Sequence, residues 1–176
     1  MEREKLTQTI NDAVESLREE LVALACDIFA IPTQNPPGNN YLECTAAIAR
    51  WMERIGMEVE FVDVPEDRLA ELAPHGEGLP RRSVIGYLGD RNARPNIHFT
   101  GHYDVVPEGT GWSTDPYGCE IRDGNIYARG SADQKSGIVS ELIAAWALKK
   151  AGIPLKGTVI ASATPDEESG GQAGVG

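Results

Sequence analysis

The chain alternates helix-type patterns with short apolar segments of strand length, and this alternation constrains the fold more than any other feature. Apolar residues recur at three- and four-residue steps from Leu6 to Leu24 and again from Tyr41 to Ile55, which predicts two amphipathic helices. A further helix is predicted for SGIVSELIAAWALKKAG, because lysines occupy its last turn and Gly152 follows it.

Strand-like segments separate these helices. MEVEFVDV alternates apolar and polar residues, whereas SVIGYLG, NIHFTG and GTVIASAT are short apolar runs. The Asp123-Gly124 pair between two short strand-like runs predicts a hairpin, and the polar stretch 66–82 predicts a surface loop. Helices interleaved with short apolar strands indicate one layered α/β domain.

Composition excludes several classes of function. A chain of 176 residues with 41% hydrophobic residues is large and apolar enough for a real core. Its net charge of -11 argues against nucleic acid as a partner, and no apolar run approaches the length needed to span a membrane. The charged start MEREKLTQTI lacks the apolar region of a secretory signal. Because Cys26, Cys44 and Cys119 are odd in number and far apart, we expect reduced thiols in a cytoplasmic protein.

Polar motifs follow three of the predicted elements, and the first is HFTGHYDVVP. His102 and Asp104 lie two positions apart at a strand end, so both side chains can point the same way. A neutral imidazole is a good ligand for zinc-like metals, and a nearby carboxylate often holds its other ring nitrogen. The alternative is a surface histidine beside a turn aspartate.

The second and third motifs add carboxylates. Asp133 lies between a glycine-bearing loop and a helix start, where it could ligate a metal or merely cap the helix. Glu167 and Glu168 directly follow an apolar strand; in a metal site one can ligate while its neighbour takes a proton from water. Alternatively, they form an acidic first helical turn.

Together, one histidine, one aspartate suited to bridging and adjacent glutamates form the constellation of a dinuclear metal hydrolase. The segments GHYDVVP, DGNIYARGSADQKSG and PDEESGG resemble the three N-terminal signatures of the M20 metallopeptidases. IPTQNPPGNN near the start extends the resemblance over most of the chain. That family includes acetylornithine deacetylase, succinyl-diaminopimelate desuccinylase, aminoacylase and carboxypeptidase G-type enzymes.

The resemblance implies a role for each motif residue. His102 would hold one metal, Asp104 would orient that histidine, and Asp133 would bridge both metals. Glu167 would be the general base and Glu168 would ligate the second metal. The implied fold is a three-layer, zinc-exopeptidase-like catalytic domain around a central mixed sheet.

The resemblance also implies an activity and a cofactor. We expect hydrolysis of an amide bond in an N-acyl amino acid or short peptide, through a metal-activated water. The cofactor would be two divalent metal ions, zinc foremost, with cobalt or manganese as alternatives. A cis peptide is expected between Asp133 and Gln134.

Family members are substantially longer than this sequence. They supply a further acidic ligand, a late histidine ligand and a lid domain that often forms a dimer interface. Residues 1–176 are therefore expected to be the N-terminal portion of a catalytic domain, incomplete at its C-terminus and without the lid. A homodimer is one expectation for the full-length form.

Other readings stay open at this point. The chain could be an inactive truncated fragment that only folds or associates, or an M28-type aminopeptidase with a similar constellation. A glycosidase with paired carboxylates leaves His102 and Asp133 unexplained.

Overall fold

The computed structural model describes residues 2–176 and confirms an α/β fold built on a mixed sheet. The four strands of this sheet are β1 Glu58–Asp63, β2 Arg82–Leu88, β3 Asn96–His102 and β6 Thr158–Thr164. Their order is β1-β2-β6-β3, with antiparallel pairs β1–β2 and β2–β6 and a parallel pair β3–β6. Because β3 and β6 are parallel and His102 pairs with Thr164, the segments that follow both strands emerge at the same edge.

Five helices and a small hairpin complete the described part of the chain. The helices are α1 Glu2–Glu15, α2 Arg18–Phe29, α3 Tyr41–Ile55, α4 Leu69–Leu72 and α5 Lys135–Lys150. The predicted hairpin is confirmed as β4 Glu120–Arg122 and β5 Asn125–Tyr127, joined by Asp123 and Gly124 with φ of 52° and 77°. No helix within residues 2–176 is both long and apolar enough to cross a lipid bilayer.

The single N-terminal helix predicted from Leu6 to Leu24 is wrong, because the structure divides it. α1 ends at Glu15 and α2 begins at Arg18, with Leu17 buried between them. Both helices contact α5. The apolar spacing therefore continues from α1 into α2, although the helix is interrupted between Glu15 and Arg18.

The core lies between the sheet and the two helices α3 and α5. Two strand glycines permit close packing there. A β-carbon on Gly86 would lie 2.9 Å from the Met52 sulfur, and one on Gly101 would lie 3.0 Å from Ile138. Real β-carbons rarely come so close, so these glycines let α3 and α5 pack directly against the strands.

The stretch 66–82, predicted to be a surface loop, is only partly one. It contains a 3₁₀ turn, Glu66–Arg68, followed by α4, and its last residues lead into β2. Arg81 in this stretch is only 1% exposed. The polar sequence does not predict this burial, because a charged side chain is buried only where the fold supplies a partner for it.

The expectation of three reduced thiols is also wrong. Cys26 on α2 is joined by a disulfide to Cys119, just before β4, and only Cys44 is free and buried. The two bonded cysteines lie 93 positions apart. The fold brings α2 beside the chain that enters the hairpin. The spacing of cysteines along the sequence does not predict this contact.

Strand β3 is an edge strand with apolar side chains in solvent. Ile97 is 58% exposed and Phe99 is 45% exposed, and β6 is the only strand paired with β3 in the sheet formed by residues 2–176. An unpaired edge with apolar side chains promotes association.

We therefore expect the chain to self-associate as its concentration rises. The double variant Ile97→Thr/Phe99→Thr should weaken association by at least about tenfold, because each large apolar side chain contributes roughly 1.5–3 kcal/mol when buried. Sedimentation velocity over a concentration series measures this. Leu42→Thr, at a 40% exposed position on α3, is the control and should leave association unchanged. A monodisperse wild-type monomer at high concentration would contradict the prediction.

Candidate metal centre

Side chains from three segments meet where β3 and β6 end together. His102 Nε2 lies 3.1 Å from Asp133 Oδ1 and 3.7 Å from Glu167 Oε2. One ligand atom each of His102, Glu167 and Glu168 lies within 4.8 Å of the others. The structure thus brings together the histidine and the three acidic residues that the motifs suggest.

Asp104 lies beneath this group and is fully buried. Its Oδ1 accepts the backbone N–H of Glu167 at 3.2 Å and its Oδ2 accepts that of Glu168 at 3.1 Å. His102 Nδ1 lies 3.0 Å from the Asp104 carbonyl oxygen and 3.3 Å from Oδ1, which leaves Nε2 facing Asp133 and Glu167. Asp104 therefore contacts the imidazole and also accepts hydrogen bonds from the backbone of both glutamates, which the sequence does not indicate.

Donors around Asp104 keep its carboxylate ionised. Burial by itself would raise the pKa of Asp104, but hydrogen bonds from His102, Asn35 and the Glu168 backbone outweigh it and lower the pKa below the usual range. A buried carboxylate held by several donors is a stable negative anchor for the imidazole above it.

The carboxylates around His102 favour a positive charge at this place in the structure. Burial lowers the pKa of His102, but its contacts with Asp104 and Asp133 more than compensate and raise that pKa to about 9. The pKa of Glu168 is raised by burial and by the neighbouring Asp104, Asp133 and Glu167, against the lowering effect of His102. One imidazole nitrogen with several carboxylate oxygens is a donor set suited to zinc and to related divalent ions, so the residues present fit such a metal.

The structure does not support the two simpler interpretations of the acidic residues, namely a helix cap at Asp133 and an acidic first helical turn at Glu167 and Glu168. The N-cap of α5 is Gln134 without a side-chain capping bond, whereas the Asp133 side chain contacts His102. Glu167 and Glu168 do not start a regular helix; they lie in a three-residue 3₁₀ turn, Glu167–Ser169. The Asp133–Gln134 peptide is cis, which confirms the expectation drawn from the resemblance.

The turn carrying the glutamates begins at a buried ion pair that motif reasoning missed. Asp166 adopts a left-handed conformation with φ of 65°, and its Oδ2 accepts from Arg81 Nε at 2.6 Å. The two side chains are 1% and 2% exposed. Tyr41 donates its hydroxyl to Asp166 Oδ1 at 2.8 Å. The only signal in the sequence was the presence of Asp166 beside the two glutamates.

Arg81 also joins two other segments to this anchor. Its terminal nitrogens donate to the carbonyl oxygens of Leu79 and Pro37 at 2.9 and 2.7 Å, and its guanidinium lies 4.9 Å from the centre of the Tyr41 ring. The end of β6, the segment before α3 and the approach to β2 are therefore held together by one side chain.

Comparisons with known proteins agree with this geometry. Residues 98–176, which contain all five motif residues, match the family model described as peptidase family M20/M25/M40. A succinyl-diaminopimelate desuccinylase of Rhodospirillum centenum is 33% identical over 149 residues, covering 84% of this chain and 35% of that protein. The chain thus spans about a third of the length of this curated relative.

Solved structures share the fold over nearly the whole chain. Human carnosine dipeptidase 1 superposes with a TM-score of 0.76 at 25% identity, covering 94% of this chain and 35% of its own. The dipeptidase Dug1p of Saccharomyces cerevisiae superposes with a TM-score of 0.79 at 20% identity, covering 96% of this chain and 36% of its own. The solved structures share the fold, and the family-model match of residues 98–176 together with the desuccinylase relative supports the N-terminal part of an M20/M25/M40 peptidase.

Proposed function

We propose that the protein is a metal-dependent hydrolase that cleaves an amide bond in an N-acyl amino acid or a short peptide. The observation that carries this proposal is the convergence of His102 with Asp133, Glu167 and Glu168 at the shared end of β3 and β6. The match of residues 98–176 to the M20/M25/M40 family model supports the same reaction class.

The chain's own side chains suit a site for two divalent ions, with zinc foremost. His102 and Glu168 would each hold a different ion, and Asp133, whose side chain is 77% exposed beside His102, would lie between them. Divalent ions bound at such a site lower the pKa of a water molecule and polarise the substrate carbonyl. Asp104 would keep the His102 ring oriented throughout.

Glu167 is the candidate general base. Its side chain is 61% exposed and its Oε2 lies 3.7 Å from His102 Nε2, so the carboxylate reaches over the site instead of into the core. Its backbone is fixed by Asp104. In the proposed reaction Glu167 accepts a proton from the attacking water and returns it to the departing amine, which leaves the carboxylate regenerated.

Names of similar proteins support the substrate class. One relative is a succinyl-diaminopimelate desuccinylase and one structural neighbour is a carnosine dipeptidase. Hydrolysis of N-acyl amino acids, which have no free amine, would distinguish the proposed enzyme from an M28-type aminopeptidase.

The homodimer of the full-length form stays a prediction, and so does a cytoplasmic location. The Cys26–Cys119 disulfide weighs against that location, because disulfides are rare in reducing compartments.

Metal binding by the chain tests the proposal against the alternative of an inert fragment. We expect His102→Ala to weaken zinc binding by on the order of 100-fold, measured by competition with a chromophoric chelator. His98→Ala is the matched control. His98 lies on the same strand, is exposed and contacts Ser162 at 2.8 Å, so its loss should leave zinc affinity unchanged. A wild-type chain that binds zinc no better than His102→Ala would refute the metal site.

A further inference from the structure

We propose that Asn35 is a positioning residue of this site, whose buried side-chain amide locks the Asp104 carboxylate against the turn that carries Glu167 and Glu168. The inference rests on the proposed function for its chemical meaning. In structural terms, Asn35 holds the two glutamates in place through Asp104.

One amide nitrogen of Asn35 reaches two separate parts of the site. Its Nδ2 donates to Asp104 Oδ2 at 2.9 Å and to Ser169 Oγ at 2.9 Å. Asp104 follows β3, and Ser169 comes directly after Glu168. Asn35 is 2% exposed, so water does not readily replace either bond.

The backbone around Asn35 runs beside residues 103–105, with an isolated parallel bridge between Gln34 and Val105. The Asn35 N–H donates to the Val105 carbonyl at 2.9 Å, and the Val105 N–H donates to the Thr33 carbonyl at 3.0 Å. The Thr33 hydroxyl donates to the Tyr103 carbonyl at 2.6 Å. These bonds hold Asn35 and Thr33 against residues 103–105, which places the Asn35 amide within hydrogen-bonding distance of Asp104.

Lys135 holds the chain just before this segment. Its buried Nζ donates to the carbonyl oxygens of Ile28 and Ile31 at 2.9 and 2.7 Å. Lys135 is the first residue of α5 and follows Asp133 by two positions. The segment with Asn35 is thus tied to the segment that supplies the bridging aspartate.

The contact with Asp104 requires a hydrogen-bond donor at position 35. Asp104 Oδ2 accepts from Asn35 and from the Glu168 backbone, while Oδ1 accepts from the Glu167 backbone and lies 3.3 Å from His102 Nδ1. Rotation of the carboxylate would disturb all of these contacts together. Productive sites tolerate displacements of only about 0.5 Å, so the group that stops this rotation positions the ligands.

The test uses the isosteric variant Asn35→Asp, which replaces the donor by a carboxylate facing Asp104. Co²⁺ binding followed by its visible absorption spectrum reports the ligand geometry, and hydrogen exchange reports the Glu167 and Glu168 amides. We expect cobalt affinity to fall by about 10- to 100-fold, with an altered spectrum and faster exchange at both amides. Asn39→Asp is the control, because it makes the same charge change at a half-buried position of the same segment.

Ser169→Ala keeps the proposal testable if Asn35→Asp fails to fold. Ser169 is exposed, so its truncation leaves the core intact while removing one of the two acceptors of Asn35. We expect cobalt affinity to fall by about 2- to 10-fold and exchange at Glu168 to rise.

Two results would overturn the positioning role. One is unchanged amide exchange at residues 167 and 168 in both variants, and the other is an effect of Asn39→Asp as large as that of Asn35→Asp. If the wild-type chain binds no cobalt, the proposed function fails, but the exchange rates still decide whether Asn35 holds the turn.

Discussion

Replacing Glu167 by Gln is expected to lower kcat by about 10²–10⁴ while the metal content and the substrate affinity change little. Glutamine keeps the size of the side chain and most of its hydrogen bonding but cannot accept the proton from water. The backbone contact that places residue 167, from its N–H to Asp104, is unaffected by the substitution. The assay is hydrolysis of N-acyl amino acids by the enzyme that carries residues 1–176, with metal content measured by elemental analysis.

Glu168→Gln is the matched comparison, because it makes the same chemical change one position along the chain. Loss of a ligand charge should weaken the metal held there, so activity should fall with metal content and partly return when metal is added. If Glu167→Gln loses metal and Glu168→Gln keeps it, the two roles are reversed. If neither changes rate or metal content, the PDEESGG motif is not catalytic.

Replacing Arg81 by Met is expected to lower the free energy of unfolding by about 3–5 kcal/mol, because it leaves the buried Asp166 carboxylate without its cation. Urea denaturation of the chain measures the change. The double variant Arg81→Met/Asp166→Asn should recover much of the loss, because asparagine removes the unpaired charge, tolerates the left-handed conformation and can still accept from Tyr41.

Arg82→Met is the control for the loss of a neighbouring arginine. Arg82 pairs with Asp63 at 2.7 Å, but the two side chains are 28% and 52% exposed. Exposed pairs contribute about 0–1 kcal/mol, so this variant should unfold almost like the wild type. Equal losses in Arg81→Met and Arg82→Met would contradict the view that the buried pair anchors the turn before Glu167.

Local patterns were sufficient for most secondary structure, and the residues of the three motifs lie close together in the structure. The strands β1, β2, β3 and β6 and the helices α3 and α5 lie where the patterns place them, because period and capping are properties of neighbouring residues. His102 and Asp104 are in contact as predicted, although β3 ends at His102 and Asp104 lies in the segment just after the strand. The interruption of the helix at Leu17 was missed, because apolar spacing indicates which residues are buried and not whether one helix continues.

What the sequence determined by itself, then, is the identity of the chemical groups: one histidine, its aspartate, and three acidic residues after strands or before a helix. The tertiary structure alone decided how they are held. Asn35 meets Asp104 across 69 positions and Ser169 across 134, and Arg81 meets Asp166 across 85. Nothing in the spacing of residues encodes such pairs, because a buried polar group finds its partner only when the strands, helices and turns that carry both have packed together.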